Sequence, residues 1–241
     1  MARHIHIPMQ ADWVHFLANS AEIDNYLVSE NELNRVRTES HPRMLALSLT
    51  NCCNLLWDFV TSEVSPCPLA LAEAIDTSLV EGAVGEGLID APCNSGYRVK
   101  TMRNLILDKR DNTNEHKILP ASIFYTKQFF DYDEKIIDYL DRGVVPMRLQ
   151  TEAATFAWLS QYWIAEWSMY PAANGLTGRF LTNALRLRWS MPLWSVNIKR
   201  ESWHSSLKSY STLWIKNDYF TVLNNTVKPN LTTLDLVANS M

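Results

Sequence analysis

Glycine is scarce in this chain, seven residues in 241, and the scarcity excludes glycine-rich linkers and low-complexity tracts. Helix is therefore expected to dominate between the few glycines, which mark backbone that a side chain would obstruct. Cysteine is also sparse. Cys52, Cys53, Cys67 and Cys93 include an adjacent pair and no Cys-x-x-Cys, which fits neither a disulfide framework nor a zinc cage. No apolar run approaches the roughly 18 residues a membrane span needs, and no basic-then-apolar leader opens the sequence. Positive charge is in deficit as well, with a net charge of −4 and a pI near 5.9, so there is no general field for a nucleic acid. The expectation is a cytoplasmic protein with no nucleic-acid and no membrane partner. Two Asn-x-Thr triplets, at Asn224 and Asn230, are read as chance matches to the glycosylation pattern.

What is present is apolar, at 47% of residues, enough for one full core. Asp12 is placed to cap a first helix through about Tyr26, with Leu33 to Arg37 as an extension or a second helix. Met44 to Val60 and Leu69 to Val80 read as further helices, the latter followed by a loop carrying Gly82, Gly85, Gly87 and Gly96. Tyr97 to Leu107 alternates as a strand does, and Lys117 to Leu119 is predicted as its returning partner, ended by Pro120. Asp131 to Arg142 is a predicted helix. Glu152 to Trp167 is apolar nearly all round and belongs in the middle of the core. Leu176 to Met191 and Glu201 to Ile215 complete the helices. The nine tryptophans point to a heavily packed core, and the stripe Arg179, Arg186, Arg188, Lys199 and Arg200 to a solvated helix face.

Between two of these helices lies Ser168 to Arg179, Ser-Met-Tyr-Pro-Ala-Ala-Asn-Gly-Leu-Thr-Gly-Arg. A loop of this kind running into a helix turns unbonded backbone N–H groups and the positive end of the helix dipole outward, which suits an anion. Gly175 and Gly178 allow close approach, Asn174 can cap the helix or bond a ligand oxygen, Thr177 sits in the first turn, and Arg179 can pair with a phosphate or carboxylate.

The segment resembles the signature of Fic/Doc proteins, His-x-Phe-x-Asp/Glu-Gly-Asn-Gly-Arg-x-x-Arg, the loop that binds nucleotide phosphates for transfer of AMP to a target hydroxyl. Asn174, Gly175 and Arg179 match by identity, Tyr170 stands for Phe, and Phe180-Leu181-x-Asn183-x-Leu185 is similar to the helix that follows. Ile75 to Gly85 with Gly96-Tyr97-Arg98 resembles the family's helix and loop before its flap, and Trp203-His204-x-x-Leu207 resembles the element lining its adenine pocket. The resemblance implies a mainly α Fic/Doc-like helical bundle with a small β-hairpin flap, in which Arg98, Val99, Lys100, Thr101 and Met102 dock an extended stretch of a target protein. It divides the chain into an N-terminal helical extension (1–65), a Fic-like core (66–215) and a C-terminal tail (216–241). The implied ligand is ATP or ADP, held by Asn174, Gly175, Thr177, Gly178, Arg179, Trp203 and His204. Family members also pair through helix faces, so a homo-oligomer or pairing with an active homologue is a further expectation.

The departures from the signature bear on chemistry. Ser168 stands where the family has the histidine that takes the proton of the attacking hydroxyl, and a serine hydroxyl is far too weak a base. Ala172 replaces the acidic residue that orients magnesium, leaving no side-chain metal ligand, and Leu176 and Ala173 replace an arginine and a glycine. Losing a positioned base costs about 10²–10⁴ in rate. A pseudoenzyme that binds a partner is expected, against the alternative of an active adenylyltransferase working by a variant mechanism.

Many members are held off by a helix reading Ser/Thr-x-x-x-Glu-Gly/Asn, whose glutamate pairs with the second signature arginine. Ser20-Ala21-Glu22-Ile23-Asp24-Asn25 is similar to it with Asp for Glu, and Ser20 and Asp24 share one helix face at i, i+4. Thr77 to Gly82 matches the letters more strictly but already fills the helix before the flap. The resemblance thus assigns Ser20, Asp24 and Asn25 a regulatory role toward Arg179.

Overall fold

A computed structural model describes residues 8–89, 115–167 and 173–195. Among them the secondary structure is helical throughout, with no strand: α1 (Gln10–Ile23), α2 (Glu30–Arg35), α3 (Met44–Thr61), α4 (Pro68–Gly85), α5 (Glu115–Asp141), α6 (Met147–Trp167) and α7 (Asn174–Arg188). No described helix is long and apolar enough to cross a membrane.

Helix α3 shows why these segments fold as they do. Leu45, Leu49, Cys52, Leu56 and Phe59 recur every three or four residues and are all buried, a single stripe that packs on α4 and α7. Helix α4 answers with Leu71, Ala72, Ile75, Leu79 and Ala83. It runs through Gly82 and Gly85, which the sequence had placed in a loop. A Cβ on Gly82 would stand 2.5 Å from Ser48 Oγ and 3.2 Å from Leu45 Cα, so this glycine sits where α3 and α4 touch. Asp12 is likewise not the cap of α1 but its third residue, where its carboxylate accepts the Met9 N–H at 3.0 Å.

The predicted hairpin is corrected on its return arm. Residues 117–119 and Pro120 lie inside α5, whose buried Tyr125, Phe129 and Ile136 keep helical spacing across the rest of its length. Two adjacent apolar residues beside a proline fit either structure, and the long amphipathic pattern downstream decides. The outgoing arm, 97–107, lies outside the described residues, as do 201–215.

Helix α6 sits in the core as expected, with Ala153, Phe156, Ala157, Trp158, Leu159 and Ile164 buried, and α7 is enclosed alongside it. Every residue from Leu176 to Leu185 is buried, with α6, α3, α4 and α1 packed around it. Phe180 meets Phe16 of α1 edge to face at 5.3 Å, so α1 belongs to the same core. Enclosure also overturns the expected solvated face at two members of the arginine stripe, since Arg179 is 0% and Arg188 1% exposed, while Lys199 and Arg200 lie outside the described residues. Arg188 grips Asp133 of α5 through Nε and Nη2 at 2.7 and 2.8 Å and donates through Nη1 to the Phe59 and Ser62 carbonyls at the end of α3. Trp189 Nε1 and Ser65 Oγ donate to the same carboxylate, at 2.8 and 2.6 Å. This buried charge pair is saturated with hydrogen bonds.

Candidate functional site

The start of α7 is where the signature-like residues gather. Ala173, not Asn174, precedes the helix, in a left-handed conformation with φ 51° and ψ 18°, and it offers no side-chain cap. Asn174 is the first helical residue. A left-handed alanine costs about 1–2 kcal/mol relative to an ordinary backbone, a cost a glycine at this position would not carry. Thr177 N–H closes the first turn on the Ala173 carbonyl at 2.8 Å.

A carboxylate of the protein itself stands against this helix start. A Cβ built on Gly175 would stand 2.9 and 3.0 Å from the two oxygens of Asp24 and 3.3 Å from Arg179 Nη1. The absent side chain is what lets the carboxylate come this close. Arg179 Nη2 lies 3.0 Å from Asp24 Oδ2, an ion pair without hydrogen-bond alignment, and donates a hydrogen bond to the Ser20 carbonyl at 2.7 Å. Arg179 is enclosed, whereas the Asp24 side chain keeps 15% of its exposure. The negative group thus meets both the positive end of α7 and a guanidinium.

Asp24 is held there by the way α1 ends. Asn25 takes a left-handed conformation, φ 67°, and its N–H bonds the Glu22 carbonyl while Tyr26 N–H bonds the Ala21 carbonyl, both at 2.9 Å. This is the six-residue helix stop in which asparagine or glycine fills the left-handed position. It leaves Asp24 at the last half-turn, facing α7. Four residues earlier Ser20 is fully buried, and its Oγ has no hydrogen-bond partner among the described residues.

The other predicted residues fall as follows. Gly178 brings two backbones together, since a Cβ there would stand 3.0 Å from both the Cα and the carbonyl oxygen of Gln161 on α6. Thr177 is buried with its Oγ1 unpartnered among the described residues. Leu176, where the resemblance expects an arginine, is packed in the core. Ser168, Ala172, Arg98, Val99, Lys100, Thr101, Met102, Trp203 and His204 lie outside the described residues.

Sequence reasoning passed over Asp76 and Tyr26. Asp76 of α4 is 1% exposed, and neither of its oxygens has a hydrogen-bond partner among the described residues. Burial raises its pKa to about 7; the nearby Thr177 hydroxyl, short of hydrogen-bond geometry, opposes the shift and Glu73 adds to it. Tyr26 is raised to about 12 by burial, then by the charges of Asp24 and Asp76. A signal existed: Asp76 interrupts the apolar stripe of Ala72, Leu79 and Ala83. Among the described residues no group of three or more His, Cys, Asp or Glu could hold a metal ion. No family model and no curated protein matches this chain.

Proposed function

We propose that this protein is a Fic-like pseudoenzyme, a partner-binding or regulatory module whose phosphate loop is retained but closed from within by Asp24. The observation that carries the proposal is the Asp24–Arg179 pair at 3.0 Å, with the Asp24 carboxylate against the Gly175 backbone in the first turn of α7. A nucleotide phosphate entering the same turn would have to displace the carboxylate from both the helix end and the guanidinium. Ligand binding is accordingly weak, with ATP or ADP as the candidates and with no side chain at Ala172 to hold magnesium.

Little or no AMP transfer is the second part of the proposal. A serine at position 168 cannot serve as the base, and loss of the leading signature arginine to Leu176 removes charge that would steady the transferred phosphoryl group. The alternative, an active transferase with a variant mechanism, is separated by incubating the protein with labelled ATP, magnesium and candidate targets. The pseudoenzyme reading predicts no labelling above a heat-treated control. Robust self- or target-labelling that disappears in Asn174→Ala would overturn it in favour of the enzyme.

A further inference from the structure

We infer that Arg43 is a positioning residue for the latch: its guanidinium fastens the strap of residues 24–29 to the start of α3 and the end of α4, and so keeps Asp24 on Arg179. The inference rests on the reading that Asp24 closes the site and names what holds it there. The strap is turn and coil between α1 and the short α2, and Asp24 stands at its beginning. Three residues on, the Leu27 carbonyl accepts a hydrogen bond from Arg43 Nη1. The same nitrogen donates to Glu32 Oε1 of α2 at 3.1 Å. One nitrogen of the guanidinium therefore holds both the strap and the helix that follows it.

The rest of the guanidinium is tied to the bundle. Arg43 Nε and Nη2 both reach Glu86 Oε2, at 2.8 and 2.7 Å, and the second oxygen, Oε1, accepts the Leu45 N–H at 2.7 Å. Arg43 is the residue before α3 and Glu86 the residue after α4. Glu86 thus satisfies a free N–H in the first turn of α3, and its carboxylate is anchored there independently of the strap. The two helices also touch at this end, where a Cβ on Gly85 would stand 3.4 Å from the Met44 side chain. Glu86 keeps only 13% of its side-chain exposure, so this half of the clasp is sheltered from screening. The buried Val28 anchors the strap as well, but an apolar contact has no direction, whereas the planar guanidinium fixes where the Leu27 carbonyl stands. Among the described residues Arg43 and Arg179 share no bonding partner, and the strap is the chain that joins the one to the other.

The test uses no nucleotide, so its failure is distinguishable from failure of the proposed function, which shows in nucleotide binding and labelling. Urea unfolding is measured for the wild type, Arg43→Met, Arg179→Met and the double variant. Residues without shared partners add, and residues joined through one shift of the backbone do not. The expected result is that Arg43→Met raises the unfolding constant by about tenfold in the wild type, and by a factor about threefold smaller or less where Arg179 is already methionine, because Asp24 then has nothing to be held against. An equal factor in both backgrounds assigns Arg43 to joining helix ends alone and overturns the inference. No effect of Arg43→Met in the wild type overturns it too. Should Arg43→Met fail to fold, Arg43→Lys, which keeps the charge but not the fork, takes its place with the same expectation. Asp24→Ala likewise stands in for Arg179→Met, since it removes the same pair.

Discussion

Among the described residues the Arg179 guanidinium has two partners, both more than 150 residues earlier in the chain, and its burial makes them energetically consequential. Removing one partner of a buried pair leaves the other charge stranded. Asp24→Ala is expected to lower stability by about 3 kcal/mol, the low end of the usual range because Asp24 keeps some contact with water. Arg179→Met is expected to cost a similar amount, but the double variant is expected to cost less than their sum by about 1–3 kcal/mol. Chemical denaturation of the four proteins checks this; strict additivity would mean the pair contributes nothing. Ala173 allows a test of opposite sign. Because its φ is 51°, Ala173→Gly relieves a left-handed alanine and, after the extra freedom of the unfolded glycine is set against it, is expected to stabilise by about 0.5–1 kcal/mol. A lower melting temperature would show that the strain is absent.

Helices differ in how plainly their sequences announce them. The stripe of α3 is legible because its buried residues are apolar and three or four apart. The centrality of α7 is not legible, because Thr177, Arg179, Thr182, Asn183 and Arg188 look like residues for water. Their partners come from elsewhere: Thr182 bonds the Ala157 carbonyl of α6, Asn183 is bonded on both sides of its amide to Trp194, and Arg188 reaches α3 and α5. The return arm of the expected hairpin failed for the reverse reason. A short apolar run gives no period, and α5 absorbed it. In the candidate site the contact of Asp24 with Arg179 follows the i, i+4 placement of Ser20 and Asp24, while Asp76 required knowing that α4 packs against α7. Contact between α6 and α7 yields a prediction at this scale. Gly178→Ala inserts a methyl against the backbone of Gln161, which cannot swing aside as a side-chain tip would, and is expected to cost about 1–3 kcal/mol. An unchanged denaturation midpoint would mean the two helices separate freely.

The molecule as a whole is a bundle in which α1 to α3 share a core with α4 to α7, so the chain that carries Asp24 is continuous with the chain that carries the loop. Among the described residues two carboxyls shift in opposite directions. Glu32 is held down to about 2, chiefly by hydrogen bonds from the Ser29 hydroxyl and N–H at the start of α2, with Arg43 assisting. A depressed carboxyl stabilises above its unfolded value, and that contribution is lost as pH falls from about 4.5 toward 2. Asp76 acts in the other direction: its contribution is full below about 3.8 and is lost as pH rises to about 7. Urea unfolding is therefore expected to weaken by up to about 1.4 kcal/mol per pH unit across the upper window, and Asp76→Asn is expected to flatten that slope. A slope unaltered by the substitution would remove Asp76 from the account.

The central claim is that the anion position at the head of α7 is occupied by the protein's own Asp24. Calorimetric titration of ATP into the wild type, Asp24→Ala and the Asp24→Ala/Arg179→Met double variant tests it most directly. The account predicts negligible heat at millimolar ATP for the wild type, saturable binding for Asp24→Ala, and loss of that binding when Arg179 is also replaced. Equal ATP affinity in the wild type and Asp24→Ala would contradict it.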